Sequence, residues 1–286
     1  MKYTILFIAT TLMLFSCKEE PKSWQHSKTI LVEGVNPIGI AHTPNGIWLS
    51  DGDHNRVVRI DENGNVEESI DSLDRPMHIS SDGYEISIPQ YGNDVILRWK
   101  ENIVKEMAIE DSLDAPAGIW RTGEETAIAD FYNNRILYSK DNLEWISFGK
   151  EGKAEGDFYY PTDVQITKDA IWVADAYNNR VQVFDKSGNF QKVIGVDQKM
   201  NAATGIFVSE TALFVTDFEN DRVLVFDHEG TLLQEIKEHI AKPTDLILID
   251  SKLYVANYRT SELNVFEWKT GAAMNEEAHS HEDHEH

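Results

Sequence analysis

Cysteine is almost absent from this 286-residue chain: it occurs once, at position 17. No intramolecular disulfide can form, and a zinc cluster built from several thiolates is excluded. Cationic side chains are also scarce, with 26 Lys and Arg against 49 Asp and Glu, a net charge of −23. Nucleic-acid affinity comes mostly from cations that neutralise phosphates, so no nucleic-acid partner is expected. Long apolar runs are missing except for Tyr3 to Phe15, which carries no charge. A helix of that length spans about 20 Å, short of the ~30 Å hydrocarbon core of a bilayer. What the chain does have is apolar and aromatic content: 41% hydrophobic residues, with seven Trp, twelve Phe and ten Tyr. That argues for a folded body and against global disorder.

Lys2 followed by the short apolar run is the layout of a secretory signal. The run ends Leu14-Phe15-Ser16-Cys17, which resembles a bacterial lipobox, and the resemblance implies that Cys17 is lipidated and becomes the mature N-terminus. Residues 1–16 are then the lipoprotein signal peptide and 17–27 a polar tether. Lys18 after the cysteine resembles lipoproteins sent to the outer membrane, and Lys18-Glu19-Glu20 resembles an acidic surface-export signal. An exported, outer-membrane-anchored protein is expected, periplasmic or surface-exposed. Its only link to the membrane is the N-terminal lipid.

The rest of the chain repeats. Pro37, Pro76, Pro116, Pro161, Ala203 and Pro243 recur at intervals of about 40 residues. Fourteen positions past each stand Asp51, Gln90, Asp130, Asp175, Asp217 and Asn257; five further on stand Arg56, Val95, Arg135, Arg180, Arg222 and Glu262. In the fourth copy, Thr162–Ile166 and Arg180–Phe184 alternate as half-buried strands do. Between them Ala170–Ala174 is an apolar run, and Asp185-Lys186-Ser187-Gly188 leads by turn chemistry to a last strand at Phe190–Ile194. Such a small sheet cannot bury both faces alone, so copies must stack. Four strands per unit, six times over, predicts an all-β, six-bladed β-propeller of four-stranded antiparallel blades.

The wording of the copies resembles the NHL repeat. Tyr160-Pro161-Thr162-Asp163 through Ala174-Asp175-Ala176-Tyr177-Asn178-Asn179-Arg180-Val181 and Val215-Thr216-Asp217 through Arg222-Val223 carry it, with the linker Phe148-Gly149 to Tyr160-Pro161. Copy two departs at Gln90 and Val95, and copy six at Asn257 and Glu262. Copy six also supplies only three strands, Asp245–Ile249, Lys252–Ala256 and Leu263–Trp268. The missing outermost strand is expected from residues 28–34 at the other end of the propeller, which spans 28–271. That closure pairs the exposed edges of the first and last blades.

In propellers the linkers between blades and the loops between second and third strands share one face. Three features fall there. The recurring Asp/Arg pairs read as structural, because a catalytic site is asymmetric and a fold-maintaining contact repeats. Two positions past the anchors stand Gly39, His78, Gly118, Asp163, Gly205 and Asp245, which places His78, Asp163 and Asp245 about 120° apart near the channel mouth. One imidazole and two carboxylates can hold a divalent cation such as Ca or Zn; the competing reading is that Asp here only satisfies local backbone. Third, loop aromatics Tyr91, Phe131, Tyr132, Tyr177, Phe218 and Tyr258, with Arg259, Glu219 and Asp53, can form a binding surface or pack between blades.

Residues 272–286 form an acidic tail expected to be disordered. His279, His281, His284 and His286 are interleaved there with Glu and Asp, a composition that suits Zn, Ni or Cu without defined geometry. No catalytic residue and no required cofactor stand out. NHL-type rings mostly serve interaction, so the resemblance implies a monomeric cell-envelope lipoprotein that acts as a scaffold for a protein, peptide or glycan ligand. The alternative is a metal-dependent hydrolase or lyase with its site at the channel mouth. Six-bladed relatives include lactonases with a channel calcium and a lyase with zinc held by histidines.

Overall fold

The computed structural model describes residues 21–270. The proposed signal peptide, Cys17 and the histidines of the tail lie outside the described residues. Six four-stranded antiparallel sheets make a closed ring. Blade 1 runs Ile40–Thr43, Gly46–Asp51, Arg56–Ile60 and Val66–Ile70; blade 4 runs Pro161–Ile166, Ile171–Asp175, Arg180–Phe184 and Phe190–Ile194. The innermost strand of blade 2 is reduced to Ser80–Ser81. Each blade buries its apolar face against the next, as where Trp172, Val181 and Val183 of blade 4 meet Ile206, Leu213 and Leu224 of blade 5.

Blade 6 contributes Pro243–Ile249, Lys252–Asn257 and Glu262–Thr270, and its outermost strand is Lys22–Leu31 from the start of the described chain. The closure expected from the sequence is therefore present, but the strand begins at Lys22. Residues 22–27, read above as tether, belong to the sheet. The reason is packing: Trp24 lies opposite Trp268 and sits edge-on to Phe214 of blade 5, with ring centroids 5.5 Å apart.

The ring is also closed on its inner side. Thr162 Oγ1 donates to the Thr204 carbonyl (2.8 Å), Thr204 to Thr244 (3.1 Å) and Thr244 to Pro37 (3.0 Å), so the last link joins blade 6 to blade 1. A second stitch uses left-handed residues after the Asp loops. Asn55, Asn134 and Asn179 have φ near +55°, and each side chain accepts the N–H of Arg75, Tyr160 or Ala202 from the next blade. Asn tolerates that backbone region at low cost.

Candidate functional site: a cup over a buried His/Asp/Asp group

The Asp/Arg pairs hold the loops. Asp175 is fully buried; its carboxylate accepts the Tyr159 N–H (2.8 Å), Asn178 Nδ2 (2.9 Å), Arg180 Nε (2.8 Å) and Gln182 Nε2 (3.0 Å). The Arg180 guanidinium then reaches the carbonyls of Ala154 and Asp157 in the linker between blades. Asp130 with Arg135 and Asp217 with Arg222 repeat the pattern. In blade 2, Gln90 Oε1 accepts the Asp74 N–H (2.8 Å), doing the work of the Asp it replaces. The pairs are a property of the unit, as their repetition implied.

Inside this frame the six positions next to the axis alternate between Gly and a polar residue. A Cβ on Gly39 would lie 2.8 Å from the Cα of His78; on Gly118, 2.9 Å from that of Asp163; on Gly205, 2.9 Å from that of Asp245. Each glycine thus makes room for the polar residue of the following blade. The close approach lets His78, Asp163 and Asp245 converge, with one potential ligand atom from each lying within 4.8 Å of the others. All three are buried.

Both carboxylates also bind backbone across blade boundaries. Asp163 accepts the N–H groups of Val164 (2.8 Å) and Ile206 (2.9 Å), and Asp245 those of Leu246 (2.8 Å) and Ile40 (2.9 Å). The local-backbone role weighed from the sequence is therefore real, yet it leaves the imidazole unaccounted for. His78 Nδ1 lies 3.4 Å from Asp245 Oδ2 and is buried without a hydrogen-bond partner. Burial and the neighbouring Asp245 push the Asp163 carboxyl up to about 7, although His78 opposes the shift. For His78 burial works against the charged form, but the Asp245 and Asp163 carboxylates override it and the net shift is upward. The group accordingly holds protons near neutral pH.

Above it opens a cup of about 670 Å³. Tyr91, Phe131, Tyr177, Phe218 and Tyr258 line its walls, Asp53, Arg75 and Glu219 add charge, and His78 with Thr162, Thr204 and Thr244 lies beneath. The aromatic band is continuous on one side: Tyr91 contacts Phe131 at 5.7 Å, and Phe131 stacks on Tyr160 at 4.8 Å. Opposite, Tyr258 donates to Asp53 (2.9 Å), while Arg259 lies 4.9 Å over the Tyr258 ring. Tyr132 packs on Tyr91 outside the lining, and Tyr177 is 58% exposed. Burial, with a hydrogen bond to Tyr132, holds the Tyr91 hydroxyl in its protonated form.

At the far end of the channel Trp120 of blade 3 meets Phe207 of blade 5 edge-on, 6.3 Å between centroids. These rings narrow that exit. Sequence reading missed Tyr160, Trp120, Phe207 and the Thr ladder. Thr162, Thr204 and Thr244, each one residue past its anchor, were a visible signal.

The comparisons agree with this fold. Residues 158–184 match the family model described as NHL repeat. Protein lin-41 of Caenorhabditis elegans is 46% identical over 46 residues, which cover 16% of this chain and only 4% of that protein. Among solved structures, a streptogramin B lyase superposes with a TM-score of 0.64 at 13% identity, covering 85% of this chain and 97% of its own. The virginiamycin B lyase of Staphylococcus aureus gives 0.63 at 16% identity, covering 86% and 99%. A catalytically inactive form of that enzyme with quinupristin gives 0.62 at 18% identity, covering 87% and 88%. At these identities the likeness carries the fold alone. Six sheets in one ring and the matched wording of blade 4 together make this protein a six-bladed β-propeller carrying the NHL repeat.

Proposed function

We propose that the protein is a binding propeller of the cell envelope, tethered through lipid on Cys17, that takes a peptide or glycan group into the aromatic cup. The cup carries the reading. Its size falls within the range of small-ligand sites. Tyr rings offer apolar area and hydroxyls at low conformational cost, and Asp53, Arg75 and Glu219 supply directional polar partners. The test is to probe peptide and glycan arrays with the wild type and with a Tyr91→Ala, Tyr177→Ala double variant. Ligands of the cup should bind the variant about tenfold or more weakly, since each lost aromatic anchor removes about 1–2 kcal/mol. Hits of equal strength on both proteins would place binding elsewhere.

A second reading, a metal-dependent lyase or hydrolase, has the buried group in its favour. Tetrahedral zinc bonds of about 2.1 Å leave ligand–ligand edges of about 3.4 Å; His78 Nδ1 stands 3.4 Å from Asp245 Oδ2, and the three potential ligand atoms lie within 4.8 Å of one another. The orphaned Nδ1 is the donor that lacks a partner, so the residues fit a cation. His78, Asp163 and Asp245 would hold it, and a mixed nitrogen and oxygen set favours Zn or Mn over Ca. Such an ion supplies Lewis acidity at the base of the cup. Elemental analysis should use the full chain with His279, His281, His284 and His286 changed to Ala, so the tail does not contribute. About one equivalent of metal, lost in His78→Gln and weakened as the pH falls because the ligands must be deprotonated, supports this reading. Metal that disappears when the tail histidines are removed sinks it.

A further inference from the structure

The propeller has a second exposed feature, at the end opposite the cup. In each blade the first and third strands start on the cup side, so Thr270, which ends the third strand of blade 6, lies at the far end. Lys22 is its register partner, Ser23 faces Lys269 and Trp24 faces Trp268. Gln234 in the outer strand of blade 5 clamps this spot: its Oε1 accepts the Trp24 N–H and its Nε2 donates to the Trp24 carbonyl, both at 2.8 Å. Leu232 and Leu233 open the same strand at this end of the ring, although Leu232 pairs with Phe226 on the face toward blade 4. The apolar side chains are not covered: Trp268 is 49% exposed, Leu232 40% and Leu233 55%.

From these observations we infer that this lower rim of blades 5 and 6 rests on the headgroup layer of the bilayer that holds the lipid. The inference deepens the lipoprotein reading above and depends on it. Cys17 stands five residues before Lys22, so the anchor lies at most about 18 Å along the chain from the start of the strand. A lipid there tethers the ring at this rim. The rim chemistry suits that place. Trp is enriched at membrane–water interfaces, and flanking Lys pairs with lipid phosphates. Lys252 and Lys269 share the carboxylate of Glu267, at 3.5 and 2.7 Å, in a cleft that Asp61 and Glu62 also line, and Lys22 is exposed at the same end.

Elsewhere the same end of the propeller is acidic, with Glu124, Glu125, Asp185 and Asp227 at its turns. Those carboxylates repel anionic headgroups, so the ring stands on its rim and does not lie flat. The cup then opens away from the bilayer toward soluble ligands.

The test uses the full-length acylated protein in phosphatidylcholine–phosphatidylglycerol vesicles with brominated acyl chains. Acylation leaves no free thiol on the single native cysteine, so an introduced one can be labelled alone with a bimane fluorophore. A label at Leu233→Cys, or at Lys269→Cys should the first fold poorly, is expected to be quenched about threefold more than one at Tyr177→Cys, as interfacial residues are. Equal quenching at the two ends of an acylated chain overturns the docking face and leaves the lipoprotein reading standing. Mass spectrometry that finds no acyl group on Cys17 overturns both. A Leu233 label that becomes shielded as protein concentration rises, with no vesicles present, identifies a second copy of the chain as the occupant and also overturns the inference.

Discussion

Changing Asp163 to Asn is expected to remove a stability loss that the wild-type site contributes between about pH 4 and pH 7. In the folded state burial, helped by the nearby Asp245, raises the Asp163 carboxyl to about 7, against an ordinary 3.8. The native protein therefore keeps a proton that the unfolded chain has already released. Stability tied to that proton is present below the unfolded value and is lost as pH rises through the folded one. His78 acts with the same sign, because Asp245 and Asp163 raise its pKa against the pull of burial. A rise of about three units corresponds to roughly 4 kcal/mol at the limit. Urea unfolding at several pH values gives the slope for each protein. The Asn variant is expected to start lower, because its amide nitrogen must face one of the N–H groups of Val164 and Ile206 that the carboxylate now accepts. The slope is the diagnostic: parallel curves for the two proteins would show that Asp163 is ionised in the fold throughout.

The largest loss from a single truncation is expected at Asp175. Asp175→Ala strips four donors of their acceptor and leaves the nearly buried Arg180 guanidinium without its counter-charge. Breaking a buried ion pair from one side costs about 3–5 kcal/mol, which lowers the melting temperature by about 10 °C in a protein of this size. Asn257→Ala provides the contrast. Asn257 holds the same position in blade 6, but Glu262 replaces the arginine, and its one side-chain donation goes to the His239 carbonyl (3.0 Å). That change should cost about 1 kcal/mol, the net value of an ordinary hydrogen bond. Thermal unfolding of both variants checks the ranking; similar losses would mean that the Asp/Arg pairs do not carry the loops.

The unit of this fold was legible because each blade solves the same local problem. Strand alternation, turn chemistry at Asp185–Gly188 and the interval between anchors are written along the chain, so the number of blades could be read. Closure by the N-terminal strand was legible from arithmetic, since blade 6 lacked one strand. Its true start at Lys22 was not, because Ser23-Trp24-Gln25-His26 shows no period of its own and is held by Phe214, Gln234 and Trp268 from elsewhere.

The site was legible only in part. The alternation of Gly39, His78, Gly118, Asp163, Gly205 and Asp245 could be seen, and with it the approach of three polar groups to one axis. Why glycine must alternate was not visible, since the reason is a backbone contact between neighbouring blades. The loop aromatics left open whether they would pack or line a surface; Tyr91 does both, touching Tyr132 while it faces the cup. The sequence by itself determined the repeat, the ring and the one cysteine at the end of its leader-like run. Only the tertiary structure decided that an imidazole nitrogen is left orphaned beside two carboxylates, that aromatic rings narrow the channel at one end, and that exposed tryptophan lies on the rim where the described chain begins. Strand alternation and turn chemistry are set by neighbours along the chain, whereas burial, proton affinity and exposure depend on groups that only the closed ring brings together.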